Sequence, residues 1–356
     1  MAVTSAMTKI DTIAAKRLDF DAIPVIDFGP FLNGTDEQKR QVAEEIGEAC
    51  RRVGFFYIKD HGIPQTTIDE LLTQTQSFFR QPIEKKMEID AKKVGRHRGF
   101  IPFGDLYAGP NAKPDVQEGF ELSMELPADD PDYLAGSIMY GPNVWPDNLP
   151  GFRDGVYGYF EAVMDLGFKL FNAFEMALGL PLGYFDPYLD KPMSQLRLLY
   201  YPPQEGEIDP DMIGIGAHTD YECFTLLLQD DSGGLQVGNR DGDWIEATPI
   251  PGTIIVNVGD MLMRWTNDEF VSTPHRVINT SGKERMSFPL FFAANHRTVV
   301  RCLPQFQGPD NPPKYPPTRS GWWTETMITE VYEYRAAHRG TVPNPELDWD
   351  APDPVD

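Results

Sequence analysis

The sequence predicts a mainly β protein with flanking helices, built on a double-stranded β-helix (jelly-roll) core. Three observations predict it. Seven short strand-like runs follow one another between residues 195 and 295, and turn clusters such as Asp230–Gly234, Arg240–Asp243 and Ser281–Lys283 separate them. Glycine and proline are plentiful, at 31 and 32 in 356 residues, which fits many strands joined by turns better than a helical bundle.

Residues 1–20 read as a loose arm. IPVIDF (Ile23–Phe28) is a short strand-like run. From Asp36 to Val53 the apolar positions Val42, Ile46, Ala49 and Val53 recur at helical spacing, with Thr35 or Asp36 as N-cap and Gly54 as the stop. FFYIKDHG (Phe55–Gly62) is a second strand. Pro64 opens a helix through Phe79 that buries Leu71, Leu72, Phe78 and Phe79. The stretch from Gly95 to Trp145 lacks periodicity, and a segment of that length is usually functional or mobile. Phe152 to Leu180 is the longest helical pattern, with Phe160, Val163, Met164, Phe171, Phe174 and Leu178 on its apolar side. Then come the runs QLRLLYYP (Gln195–Pro202), CFTLLLQD (Cys223–Asp230), GLQVG (Gly234–Gly238), WIEATPI (Trp244–Ile250), TIIVNVGD (Thr253–Asp260), STPHRVI (Ser272–Ile278) and RMSFPLFFAAN (Arg285–Asn295). A last helix is expected from Trp322 to Ala337, followed by a frayed Pro- and Asp-rich tail. The organisation read from this is a helical and strand region (1–186) packed on a jelly-roll core (187–320), with a C-terminal helix and tail (321–356).

Bulk composition narrows the function. With 31 Lys and Arg against 54 Asp and Glu, the net charge of −23 repels phosphate backbones and anionic lipids, so neither nucleic acid nor membrane is an expected partner. No run approaches the ~18 apolar residues of a spanning helix. Three scattered cysteines, Cys50, Cys223 and Cys302, make neither a disulfide framework nor a zinc site, and the expected compartment is the reducing cytoplasm. The expected partner is a small-molecule substrate; the oligomeric state is not readable.

The chemistry sits in two pairs of residues. GIGAHTDYE places His218 and Asp220 two apart entering a strand, so both project to one face. His275, in STPHRV on a later strand, supplies a third ligand. Two imidazoles and one carboxylate on a single face of a cation leave the opposite positions open, the arrangement of non-haem iron(II) oxygenases. A lone His-x-Asp is weak evidence by itself. It gains weight from Arg285 and Ser287, ten and twelve residues beyond His275 and again two apart in a strand. A guanidinium fork beside a hydroxyl suits the far carboxylate of a dicarboxylic acid, whose near carboxylate and keto oxygen would chelate the metal.

These motifs resemble the isopenicillin-N-synthase-like iron(II)/2-oxoglutarate-dependent dioxygenases, over nearly the whole chain. IPVIDF, VGFFYIKDHGIP and FFRQPIEKKM match the family's N-terminal region; LRLLYYPP, GIGAHTDYECFTLLLQDDSGGLQV, VNVGDML, STPHRV and RMSF match its core. The likeness is closest to bacterial and fungal members, thymine 7-hydroxylase among them. It implies that His218, Asp220 and His275 bind Fe(II), that Arg285, Ser287 and Tyr201 bind 2-oxoglutarate, and that O2 is the oxidant. The implied reaction hydroxylates, desaturates or cyclises a small organic molecule, with release of succinate and CO2. Plant members often carry Asn two residues before this Tyr; Leu199 stands there, so one polar contact to the co-substrate is absent. Arg-x-Ser also occurs in relatives that do not use 2-oxoglutarate. An iron oxidase or oxidative cyclase independent of that co-substrate is therefore one alternative, and a non-catalytic binding protein on the same scaffold another. Asp220 argues against a halogenase, in which halide takes the carboxylate's position.

Strand alternation nominates the substrate lining. If Arg285 and Ser287 point inward, so do Phe291 and Ala293; if Tyr201 does, so do Leu199 and Arg197. Arg197 is then an anchor for a polar or anionic group or one half of a buried ion pair. Phe100, Phe103 and Phe120 are candidates for a lid, with core packing as the other reading.

Overall fold

The computed structural model describes residues 23–106, 113–204, 213–239 and 242–342. The N-terminal arm and most of the C-terminal tail lie outside the described residues, as does part of the Arg240–Asp243 turn. The twelve strands used below are β1 (Val25–Asp27), β2 (Phe55–Lys59), β3 (Gly99–Ile101), β4 (Glu118–Ser123), β5 (Gln195–Tyr201), β6 (Ile215–His218), β7 (Phe224–Gln229), β8 (Leu235–Gly238), β9 (Trp244–Glu246), β10 (Thr253–Val258), β11 (His275–Val277) and β12 (Arg285–Phe292). The longer helices are α1 (Asp36–Arg52), α2 (Gln65–Phe79), α3 (Phe152–Ala177), α4 (Asp260–Trp265) and α5 (Ser320–Val331).

The strands form a major sheet in the order β1-β2-β10-β7-β12-β5-β4-β3 and a minor sheet in the order β6-β11-β8-β9. They are the two walls of a jelly roll with helices outside. Four of the eight major-sheet strands come from residues before 187, so the N-terminal region continues the sheet. Among the described residues no helix is long and apolar enough to cross a membrane.

The sequence shows why these elements form. Thr35 caps α1 and shares a reciprocal capping box with Gln38, and the helix buries the predicted Val42, Ile46 and Ala49. α3 lies on the back of the major sheet. Gly167 is where it comes closest, because an added Cβ there would sit 2.2 Å from a ring carbon of Phe292 on β12. Strand alternation divides the major sheet into two faces. Phe56, Leu226, Leu228, Phe288, Leu290, Phe292, Leu196 and Leu198 enter the large core shared with α1–α3. Phe55, Tyr57, Leu227, Ile255, Leu199 and Tyr201 face the minor sheet's Leu235, Val237 and Val277 in a second core.

Three expectations need correction. Gly95–Trp145 is not wholly irregular: it contains the strands β3 and β4, whose glycines and flanking prolines hid the alternation. His218 ends β6, and Asp220 stands beyond it in the turn to β7 rather than on a strand. The last helix starts at Ser320, stops at Val331 and gives way to a 3-10 turn at Glu333–His338.

Candidate metal and co-substrate site

His218 and His275 are directly paired across the antiparallel strands β6 and β11 of the minor sheet. Each imidazole sends Nδ1 to a backbone carbonyl, His218 to Gly216 at 2.8 Å and His275 to Thr273 at 3.2 Å. A carbonyl only accepts, so Nδ1 carries the proton and each Nε2 keeps its lone pair. Both Nε2 atoms lie 3.6 Å from Asp220 Oδ1. Ligand atoms of all three residues lie within 4.8 Å of one another, the one grouping of this kind among the described residues.

The carboxylate is anchored by the other sheet. Thr225 Oγ1 and Asn257 Nδ2 donate to Asp220 Oδ2 at 2.5 and 2.6 Å, leaving Oδ1 toward the histidines. Thr225 and Asn257 are cross-strand partners on β7 and β10. The minor sheet therefore presents two imidazoles, the major sheet orients the acid, and the metal position lies between the walls. Gly259 makes the approach possible: an added Cβ would stand 2.3 Å from the Glu222 carbonyl oxygen and 3.2 Å from that of Asp220.

Electrostatics follow the same division. Burial alone would push Asp220 up, but His275, His218 and the Thr225 hydrogen bond hold it below the usual carboxylate range. Burial pulls His275 down to about 4, whereas contact with Asp220 outweighs burial at His218 and raises it. Two neutral nitrogen donors and one anionic oxygen donor, backed by fixed partners, fit a divalent first-row metal.

One strand pair away, Arg285 is opposite Tyr201. Its guanidinium carbon is 4.7 Å from the Tyr201 ring centroid. The side chain is 1% exposed. Nε donates to the Gly233 carbonyl at 2.7 Å, and the terminal nitrogens donate to Ser287 Oγ at 3.0 Å and Gln229 Oε1 at 3.3 Å. All three partners are neutral, and among the described residues no carboxylate pairs with this buried cation. Burial raises the Tyr201 phenol, which Arg285 and Ser287 only partly offset. The cluster is a buried cationic socket on the face of the major sheet that is turned to the minor sheet.

On the proposed substrate side, Arg197 and Leu199 lie on the same β5 face as Tyr201, and Phe291 is on the Arg285 face of β12. Ala293 joins a small cluster with Ile101, Met139, Tyr140 and Tyr332. Arg197 pairs with Glu121 at 2.7 Å and lies 5.8 Å from the ring centroids of both Phe291 and Tyr332. Tyr332, just past α5, donates to Glu121 Oε1 at 3.0 Å, so the C-terminal segment closes this side.

Phe100 and Phe120 are not there. Glu121 is opposite Arg197 and Phe120 opposite Leu198, so Phe120 takes the back of the sheet. Phe100 pairs with Phe120 and shares its face. Both rings are fully buried around Phe78, at centroid distances of 6.0 and 5.2 Å. Phe103 follows β3 and is 47% exposed. On β3 and β4 the pocket face belongs to Ile101, Gly119 and Glu121. The sequence reading also missed Thr225 and Asn257, although a lone Asn inside the apolar run TIIVNV was a usable signal.

The fold and site define a non-haem iron oxygenase of the jelly-roll class, and comparison with known proteins is consistent with that. Residues 23–148 match the model of the N-terminal region of non-haem dioxygenases, described from morphine synthesis, and residues 192–294 match the 2OG-Fe(II) oxygenase superfamily. The 2-oxoglutarate-Fe(II) type oxidoreductase hxnY of Emericella nidulans is 37% identical over 317 residues, 88% of this chain and 90% of that one. Homoarginine-6-hydroxylase 2-ODD-C23 of Glycine max is 36% identical over 298 residues, 80% of this chain and 89% of that one. The crystal structure of full-length Neurospora crassa thymine 7-hydroxylase with alpha-ketoglutarate and thymine superposes with a TM-score of 0.77 at 31% identity, covering 87% of this chain and 98% of that one. The chain belongs to the 2OG-Fe(II) oxygenase superfamily, whose members use Fe(II), 2-oxoglutarate and O2.

Proposed function

We propose that the chain oxidises a C–H bond of a small organic molecule, most simply by hydroxylation, while 2-oxoglutarate goes to succinate and CO2. His218, Asp220 and His275 hold Fe(II), and Arg285, Ser287 and Tyr201 hold the far carboxylate of 2-oxoglutarate. Bound iron supplies the activation of O2 that no side chain provides. The chain's own residues position the reactants. The carbonyls of Gly216 and Thr273 fix the imidazole tautomers, and Thr225 and Asn257 aim one carboxylate oxygen. Arg197, Leu199, Phe291 and Ala293 line the substrate side, with Arg197 held in its buried ion pair with Glu121.

The observation that carries this reading is Arg285: a buried guanidinium with neutral partners only, next to three converging metal donors. A charge so placed calls for an anionic ligand.

The experiment is a substrate screen by succinate release from the Fe(II)-loaded protein, with His275→Ala as the blank. Thymine and L-homoarginine, named for two relatives, head the panel. Adding 2-oxoglutarate to the anaerobic Fe(II) protein should produce a weak visible charge-transfer band. Substrate oxidation with no demand for 2-oxoglutarate, or no such band, rejects the proposal.

A further inference from the structure

The pocket holds polar groups that neither iron nor 2-oxoglutarate can satisfy. Asp115 is 5% exposed; its Oδ1 accepts from the Gly216 backbone N–H at 3.1 Å, two residues before His218. Its Oδ2 has no hydrogen-bond partner among the described residues, and no cation there stands within ion-pair distance of it. Gln117 is 4% exposed, and both its amide oxygen and amide nitrogen are buried without a partner. Glu118, the next residue, pairs with Lys86 on the back of the sheet, so alternation turns Gln117 to the pocket face that Gly119 and Glu121 share. Glu121 Oε2 is likewise buried without a hydrogen bond, with His97 Nε2 3.9 Å away. Backbone bonds fix the Asp115 end of the row: Asp115 N–H to the Leu106 carbonyl and Val116 N–H to the Ile213 carbonyl, each 2.9 Å.

A buried polar group without a partner costs stability unless a ligand or a water completes it. Three such groups, on Asp115, Gln117 and Glu121, are acceptors. Ionised 2-oxoglutarate carries no donor, and its charge is repelled by a carboxylate. The missing donors must therefore come from the oxidised substrate. No cation forms an ion pair with Asp115, which favours a nitrogen donor over a hydroxyl, and the Gln117 amide adds one acceptor and one donor beside it.

We propose that Asp115 and Gln117 are the substrate-reading edge of the pocket, and that the substrate is a small nitrogenous molecule presenting N–H donors next to a carbonyl or carboxylate. This rests on the oxygenase reading and extends it to the substrate class. Acyl and terpenoid acids without N–H groups leave the row unsatisfied.

The test uses Asp115→Asn and Gln117→Met in the full chain, with calorimetric titration of the anaerobic Fe(II)·2-oxoglutarate protein. The probes are L-homoarginine, thymine and, as a carboxylate with no N–H, phenylacetate. The expected result is binding of at least one N–H probe and none of phenylacetate. Each variant should bind that probe at least tenfold more weakly, while its affinity for 2-oxoglutarate is unchanged. The Gln117→Met protein without ligands should melt no lower than wild type, because an unpaired amide has been removed. Binding of phenylacetate alone, or of no N–H probe, overturns the proposal, as does unaltered probe affinity in the variants. So does a fall in melting temperature or in 2-oxoglutarate affinity on Gln117→Met, which would place that side chain in the scaffold or the co-substrate socket. A wild-type protein that forms no charge-transfer band refutes the parent reading instead, and the melting comparison still judges the row.

Discussion

Replacing Asp115 by Asn should make the ligand-free protein more stable, and increasingly so as pH rises. Burial lifts this carboxyl from 3.8 to about 7, only partly countered by the Gly216 N–H, His218 and Arg197. Between those values the unfolded chain has already ionised its aspartate while the folded chain still holds the proton. Stability therefore falls as pH rises through the window and levels off above pH 7. Integrated, the penalty is roughly 2 kcal/mol at pH 5 and about 4 kcal/mol at pH 8, an upper bound where water entering the pocket screens the charge. Asparagine keeps an acceptor for the Gly216 N–H and cannot ionise. Urea unfolding of both proteins without metal at pH 5, 6.5 and 8 measures the difference. A gap that does not grow with pH, or an Asn variant less stable at pH 8, refutes the argument that Asp115 is held in the pocket at the expense of stability.

Asn257→Ala should leave Asp220 Oδ2 with Thr225 alone and weaken Fe(II) binding by roughly 10- to 100-fold, read by competition with a chelator; unchanged affinity would deny Asn257 its orienting part. Gly259→Ala must displace the Asp220–Glu222 turn, so iron affinity should fall although the residue touches no ligand directly; a metal-loaded variant with normal affinity contradicts the close approach. Arg285→Lys removes the planar fork and should raise KM for 2-oxoglutarate at least tenfold with iron content unchanged; an equal loss of iron would mean that the residue holds the scaffold. Phe120→Leu should cost about 1 kcal/mol of stability and leave KM for substrate and co-substrate alone, whereas a change in KM would return this ring to the pocket.

The sequence revealed the centre of the site better than its border. His218, Asp220 and His275 were legible because metal chemistry demands particular residue types, and Arg285 with Ser287 because a strand carries them two apart. Arg197, Leu199 and Phe291 followed by counting in twos from those anchors. The count failed for Phe100 and Phe120, since no anchor had been placed on β3 or β4. Only the pairing of Glu121 with Arg197 settles which face those strands show. Asp115 escaped notice for a related reason: its position beside Gly216 is a contact across roughly a hundred residues that no local pattern encodes.

The two-faced major sheet has a practical bearing on re-engineering the enzyme. Neighbouring residues on one strand answer to different pressures: one fills the hydrocarbon interior behind the sheet, and the next meets the ligand. A library confined to alternate positions, such as 117, 119, 197, 199 and 291, could change what is accepted without touching the residues that hold α3 in place. Randomising whole strands would spend most of its diversity on misfolded chains.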